Sequence, residues 1–140
     1  MKKSLLLLAV MAFILCPVLA NSAAAKNDTK YIVYYFRTTG RCHSCIQMEK
    51  MTKETVENDF AKEVKNGLIE FRSVDVETPQ YKHYIKDYGL YTKSVIISEV
   101  KNGKEVRWKN LDQIWRKLSK DYEFRLYITQ EVQKFMKGTK

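Results

Sequence analysis

The first apolar segment after the N-terminal region, YIVYYF from Tyr31, carries large apolar side chains at both odd and even positions. A strand with this pattern is covered on both faces, which is typical of the centre of a sheet. From Cys45 onward the period changes, and the pattern repeats in steps of four as far as Asn66-Gly67. That period predicts one long helix that ends at the Asn-Gly pair. The positions that define its buried face are Met48, Thr52, Val56, Phe60 and Val64.

The middle of the chain predicts a strand, a short helix and a hairpin. Residues 68–76, LIEFRSVDV, are rich in β-branched and apolar residues and predict a strand. Pro79 suits the first turn of a helix that runs to about Asp87, before Gly89. Two β-rich runs flank Asn102-Gly103, a pair in which both residues tolerate positive φ. This dipeptide predicts a two-residue hairpin turn.

The last thirty residues predict helices. Asn110 and Gln113 have the spacing of a capping box before an apolar run. A further apolar face recurs at helical spacing at Phe124, Ile128, Val132 and Phe135. The whole order is strand, helix, strand, helix, hairpin, helix, in which a crossover helix makes the first two strands parallel and the hairpin adds antiparallel strands. We therefore predict an α/β fold with a central mixed sheet of about four strands, flanked by helices and extended by a helical C-terminus.

Residues 1–25 have the parts of a secretory signal peptide. Lys2 and Lys3 form a positive head, an apolar stretch follows, and small residues offer cleavage after Ala20 or Ala25. The apolar stretch is short for a permanent membrane helix, although a retained anchor is the alternative. Cys16 does not fit a lipoprotein site, because a large leucine precedes it where a small residue is needed. We expect residues 26–30 to be a flexible leader and residues 31–140 a single domain.

Export determines the expected compartment of the protein and limits the classes of partner that it can meet. The protein is expected to be periplasmic or otherwise extracytoplasmic and bacterial, with no permanent membrane span after processing. Removing residues 1–25 takes two of the 25 basic residues away and leaves 16 acidic ones, for a net charge of +7. Lysine and glutamate alternate along the helix faces, which indicates a solvated surface. We therefore expect no nucleic-acid partner, although weak attraction to anionic partners or membrane surfaces remains open.

Two cysteines, Cys42 and Cys45, remain after export, and an oxidising compartment favours a disulfide between them. One cysteine pair with His43 and the distant His83 does not supply the four ligands of a structural zinc site, so we expect no metal. A soft copper or arsenic species, which accepts two or three thiolates, stays open. A bridge across two residues closes too short a loop to stabilise the fold greatly.

A redox function has a positive mechanism. At a helix N-terminus, unpaired amides favour the Cys42 thiolate, and Arg41 and His43 add positive charge, so its pKa should fall below the free value of about 8.5. Cys42 would then attack a partner disulfide, and Cys45 would resolve the mixed disulfide. His43 and Ser44 could donate hydrogen bonds that tune the potential, or His43 could be an inert exposed residue. No phosphate loop or haem-attachment motif occurs in the sequence, so the expected redox group is the disulfide alone, without a further cofactor.

Three stretches, YYFRTTGRCHSC, VDVETPQYKHYIKDYGLYTKSVII and KNGKEV, are similar in order and spacing to thioredoxin-like proteins. The resemblance covers roughly residues 31–108. Together with VRWKNLDQIW, the chain resembles the nitrophenyl compound nitroreductase subunit ArsF family. The resemblance implies a thioredoxin-like fold, catalytic Cys42 and Cys45, and tuning by the residues between them.

The chain departs from the thioredoxin-like pattern at several positions. The loop Thr92, Lys93, Ser94 replaces the cis-proline loop that holds an extended substrate, with Ser94, or Lys93 after a one-residue slip, at the proline's place. A cis bond without proline costs about 2.5–4 kcal/mol, so we expect a trans bond. Phe36 stands where the family has a buried acid, and Arg41 where an aromatic residue is common. Lys93 would suit an acidic or anionic partner surface.

The first interpretation is therefore an exported thiol-disulfide oxidoreductase or electron relay with a CHSC redox pair. Its expected partner is a protein disulfide or dithiol, or a membrane reductant, and we expect a monomer. The second interpretation is a non-catalytic thioredoxin-like binding subunit of a reductase system, or a soft metal or metalloid binder. The third is a scaffold with an idle disulfide.

Overall fold

A computed structural model of the chain describes residues 28–138. The predicted signal peptide, which includes Cys16, and residues 26–27 of the predicted leader lie outside these residues. The elements in chain order are strand β1 (Thr29–Arg37), helices α1 (His43–Asp59) and α2 (Ala61–Lys65), strand β2 (Ile69–Asp75), a 3₁₀ turn (Pro79–Tyr81), helix α3 (His83–Asp87), strands β3 (Ser94–Lys101) and β4 (Lys104–Asn110), and helices α4 (Ile114–Lys117) and α5 (Asp121–Met136).

The four strands form one mixed sheet in the order β2-β1-β3-β4. β1 is central, as its two-sided apolar pattern predicts; it runs parallel to β2 and antiparallel to β3. Phe36 pairs with Ser94, so the carboxyl end of β1 lies beside the start of β3. β4 pairs antiparallel with β3 at the edge of the sheet. The predicted α/β architecture, a mixed sheet flanked by helices with a helical C-terminus, is confirmed.

Alternate residues of β1 enter two separate cores. Tyr31, Val33 and Tyr35 lie on the face that packs against α1 and α5. The buried residues of α5 on this face are the four predicted from its period, namely Phe124, Ile128, Val132 and Phe135. On the opposite face, Ile32, Tyr34 and Phe36 pack with the end of β2 and with tyrosines from the segment around α3.

The turns confirm the glycine predictions. Asn102 and Gly103 have φ values of 51° and 76°, as a hairpin turn with two left-handed residues requires. Gly67 has φ 72° and ends the first helical region, because only glycine adopts this conformation without steric cost.

Several boundaries differ from the sequence expectations. The predicted long helix is divided at Phe60, whose φ of −121° leaves the helical region while its side chain stays buried. β1 begins at Thr29 rather than Tyr31, because Thr29 and Lys30 pair with β3, so the flexible leader does not reach residue 30. The capping box before α4 does not form, since Gln113 itself has helical dihedrals and no side-chain cap.

Arg107 on β4 attaches the edge of the sheet to α5. Its guanidinium forms an ion pair with buried Glu99, lies 4.0 Å from the centre of the Phe135 ring and donates to the Phe135 carbonyl at 2.6 Å. Within residues 28–138, none of the helices has the length and hydropathy needed to cross a bilayer.

Candidate functional site

The two cysteines lie where the chain leaves β1 and enters α1. Cys42 is the N-cap residue, with the extended dihedrals φ −92° and ψ 160°, and Cys45 lies in the first turn of the helix. The two sulfur atoms form a disulfide, and the Cα atoms are 5.0 Å apart. The pair predicted from the CHSC spacing is thus brought together at the helix N-terminus.

The two sulfurs differ in access to solvent. Cys42 is exposed, whereas Cys45 is only 3% exposed. The Cys45 amide donates to Cys42 Sγ at 3.1 Å, so the sulfur takes the position of a capping oxygen. An acceptor at this position gains from the unpaired amides and dipole of the first helical turn. The exposed sulfur is therefore the one on which the helix favours negative charge.

The neighbours of the cysteines do not all lie as expected. His43 and Ser44 are exposed on the first turn, and neither side chain has a hydrogen bond within the described residues. Arg41 forms an ion pair with Glu49, so its charge is shared with a carboxylate instead of acting on Cys42 alone. Arg41 precedes the N-cap of α1, and its side chain reaches Glu49 on that helix.

Two residues near Cys45 were missed by the sequence reasoning. Tyr35 is fully buried, and its hydroxyl donates to the Cys45 carbonyl oxygen at 2.9 Å. Burial, followed by the charge of Glu49, raises the pKa of Tyr35 to about 12, while Arg41 and Arg37 act in the opposite direction. Tyr35 is therefore a protonated donor at neutral pH. Glu49 could have been suggested by its position four residues after Cys45, whereas nothing in the sequence predicts the hydrogen bond from Tyr35.

The predicted partner loop, residues 92–94, lies beside the carboxyl end of β1, where the chain leaves the sheet toward Cys42. No cis peptide bond occurs in residues 28–138, so the bond before Ser94 is trans, as expected without proline. The Ser94 hydroxyl donates to the Thr92 carbonyl at 2.9 Å. Trp115 Nε1 donates to the Lys93 carbonyl at 3.0 Å and tethers the loop to α4. This tether was not predicted, because it joins positions that are 22 residues apart.

At the position where thioredoxin-like proteins have a buried acid, this chain packs Phe36 among aromatic rings. Phe36 is 1% exposed and stacks on Tyr34, with ring centroids 5.2 Å apart. It faces the α3 side of the sheet, whereas Tyr35 faces α1. Glu49, which carries a side chain only 18% exposed, is thus the carboxylate that the structure places near the cysteine turn.

A cluster at the carboxyl ends of β1 and β2 fixes the loop before Cys42. Arg37 Nη1 and the Thr39 hydroxyl each donate to Asp75 Oδ2 at 2.9 Å. The Thr39 amide donates to Glu77 Oε2 at 2.8 Å. Desolvation alone would raise the pKa of Asp75, but the Glu77 amide, the Thr39 hydroxyl and Arg37 together lower it below its ordinary value. The ionised carboxylate therefore anchors the start of this loop.

The histidines lie apart from any candidate metal site. In the part of the chain that the structure describes, no three His, Cys, Asp or Glu side chains form a group suited to holding a metal ion. His83 is bound to Asp87 on α3, at 2.7 Å. A soft ion would have to rely on the two thiolates of the reduced cysteine pair.

No family model, curated protein or solved structure matches this chain. The geometry of the residues is therefore the basis for assigning a function.

Proposed function

We propose that the protein is an exported thiol-disulfide oxidoreductase or electron relay with a thioredoxin-like fold. The observation that carries the proposal is the disulfide between an exposed N-cap sulfur, Cys42, and a buried sulfur one turn later, Cys45. The strand order β2-β1-β3-β4, with a parallel β1–β2 pair and an antiparallel hairpin, supports the thioredoxin-like assignment. Membership of the nitroreductase subunit ArsF family remains a proposal that rests on the sequence resemblance alone.

Access decides which cysteine reacts first. When the pair is reduced, Cys42 can meet a second protein, whereas Cys45 is covered by its own domain. The Cys45 amide and the dipole of α1 favour the Cys42 thiolate, and we expect its pKa to lie below the free value of about 8.5. Thiolates, not thiols, attack disulfides. Cys42 is therefore the nucleophile and Cys45 the resolving residue.

The proposed exchange proceeds in two balanced steps. The Cys42 thiolate attacks one sulfur of a partner disulfide, a Cys42–partner bond forms, and the other partner sulfur leaves as a thiolate. Cys45 then loses its proton and attacks Cys42 Sγ, the internal disulfide forms, and the second partner sulfur leaves with its electron pair. The partner gains two electrons and the protein loses two. The same steps in reverse oxidise a partner dithiol.

We assign the removal of the Cys45 proton to Glu49. The acid lies one helical turn after Cys45, and its charge acts on Tyr35, whose hydroxyl donates to the Cys45 carbonyl. A carboxylate held in this way can accept the proton directly or through one water molecule. Glu49 would thus accept the proton, because Phe36, at the position of the family's buried acid, is apolar and cannot accept one.

Export is consistent with this chemistry. A disulfide persists in an oxidising compartment and is rare in a reducing one. The signal-like sequence of residues 1–25 supplies the route. The partner is then either an exported protein with a disulfide or dithiol, or a reductant in the membrane.

Cysteine variants test the proposal. A C16S background leaves Cys42 and Cys45 as the two thiols of the chain. In this background, C42S should abolish the reduction of hydroxyethyl disulfide, because the nucleophile is lost. C45S should instead accumulate a mixed disulfide on Cys42, which mass spectrometry would detect. Equal activity in C42S and the parent protein would refute the proposal, and binding of a partner without any exchange would favour the non-catalytic subunit.

A further inference from the structure

A cleft of about 250 Å³ lies at the carboxyl end of β1, where the chain leaves the sheet toward Cys42. Its apolar side chains come from the end of β2, from α3 and from the segment after α3, and include Val76, Ile85 and Leu90. Its charged side chains are Arg37, at the end of β1, and Lys93, just before β3. Both charges are positive, and no acidic residue contributes to the lining.

Of the two cations, Lys93 is the one with capacity for an anion. Arg37 already pairs with Asp75 through Nη1, and its Nε atom is buried, so a carboxylate that enters the cleft cannot reach Nε. Lys93 forms no ion pair with any acidic group of residues 28–138, although 15 such pairs involve other residues. Partly desolvated cations beside apolar surface bind an anion more strongly than freely hydrated ones. The cleft therefore combines apolar contact with an unmet demand for negative charge.

The cleft is close enough to the disulfide for one partner to occupy both. Thr38 lines the cleft and stands four residues before Cys42. Lys93 directly precedes Ser94, which pairs with Phe36 at the end of β1. Tyr91 also lines the cleft, two residues before Lys93. It is 100% exposed and offers an aromatic surface to an incoming polypeptide.

We propose that this cleft receives an acidic side chain, carried on an apolar stem, from the polypeptide whose disulfide or dithiol reacts with Cys42. A glutamate near the partner's cysteine has the required chemistry, since its methylene groups would contact Val76, Ile85 and Leu90 and its carboxylate would meet Lys93. The inference rests on the proposed redox function and specifies its substrate class. The anion raises the rate of encounter and fixes the register of the partner on the site.

Matched peptide disulfides test the inference. The probes are three short disulfide-linked peptides that are identical except for Glu, Gln or Lys beside the cysteine, and uncharged hydroxyethyl disulfide serves as a reference. The measurement is the second-order rate constant of each with the reduced protein, carrying C16S, at low and high salt. We expect the Glu peptide to react about tenfold faster than the Lys peptide at low salt, with a smaller ratio at high salt.

Lysine variants locate the origin of this preference. K93Q should reduce the Glu-to-Lys rate ratio severalfold, and K93E should bring it to one or below. K104Q is the matched control, because Lys104 begins β4 beside the hairpin turn, at the opposite end of the sheet. It removes the same charge from the whole protein and should leave the ratio unchanged.

The outcomes separate the two proposals. If hydroxyethyl disulfide is not reduced, the redox function itself fails. If it is reduced but the Glu and Lys peptides react equally, or if K93Q and K104Q change the ratio to the same extent, the redox function stands and the anion-binding cleft is refuted. A ratio that depends on Lys93 and not on Lys104 supports the cleft.

Discussion

On one face of the sheet, α1 and α5 cover a continuous core in which Val33, Met48 and Phe124 are fully buried. On the other face, the short α3 and a group of tyrosines cover a smaller core, and a cleft remains open beside it. We call the face covered by α1 and α5 the closed face and the face with the cleft the open face. The closed face holds α1, and with it the first-turn position of Cys45. The open face supplies the loop and the cleft that a partner could contact. Rigid support and access thus come from opposite sides of the same sheet.

The largest expected effect is a difference in the free energy of unfolding between a core variant on the closed face and one on the open face. Phe124→Ala should lower the free energy of unfolding by about 3–5 kcal/mol, because it opens a cavity in the closed core. Ile85→Ala, on the open face, should cost about 1 kcal/mol, because that side chain is already 38% exposed. Urea denaturation of both variants with the disulfide intact measures the difference. Similar losses would show that the faces do not differ in this way.

The second prediction is that the stability contributed by Glu99, on the closed face, depends on pH. Desolvation alone would raise its pKa, but hydrogen bonds and charge from Lys101 and Arg107 lower it below the ordinary 4.5. Since the folded pKa lies below the unfolded one, this stabilisation is complete above the unfolded pKa and is lost as the pH falls through the folded pKa. Glu99→Gln should therefore cost about 2 kcal/mol at pH 7 and progressively less below pH 4.5.

The measurement for Glu99 is denaturant unfolding of the parent and the variant across acid pH. Glu57→Gln is the control, because Glu57 is an exposed residue paired only with Lys53 on α1. A constant difference between the parent and E99Q at every pH would contradict the electrostatic origin of the stabilisation.

Glu49 tests the connection between the closed face and the cysteines. Glu49→Gln should slow the second exchange step by about tenfold or more at neutral pH, because Cys45 loses its proton acceptor. The first attack by Cys42 should change less. Stopped-flow decay of the mixed disulfide resolves the two steps, and E57Q again provides a matched loss of charge on the same helix. Decay at the parent rate in E49Q would exclude the proposed role.

The smallest expected effect concerns Tyr35. Tyr35→Phe removes the hydroxyl that bonds to the Cys45 carbonyl and should lower the free energy of unfolding by about 1 kcal/mol. Tyr122→Phe is the control, since Tyr122 is 76% exposed. Thermal unfolding of the two variants gives the comparison. Equal values for both would mean that the bond to Cys45 adds no stability.

The periodic parts of the fold were predictable, whereas the contacts across it were not. The two-sided pattern of YIVYYF predicts a central strand, and the period of four predicts the buried face of α5, because burial repeats with the geometry of each element. The break at Phe60 and the missing cap at Gln113 depend on tertiary packing, which local propensity does not contain.

The site shows the same division. The spacing of Cys42 and Cys45 places one at the N-cap and the other in the first turn of the same helix, so their pairing follows from the sequence. The ion pair of Arg41 with Glu49 and the tether from Trp115 to Lys93 depend on side-chain directions and on long-range folding. Cleft residues from four separate segments likewise meet only in three dimensions.

The most direct test of the central claim is a pH titration of the Cys42 thiolate, followed by its ultraviolet absorbance in the reduced protein that carries C16S and C45S. A midpoint below the free-thiol value of about 8.5 is predicted, because the first-turn amides and the dipole of α1 favour the anion. A midpoint at or above that value would contradict the account.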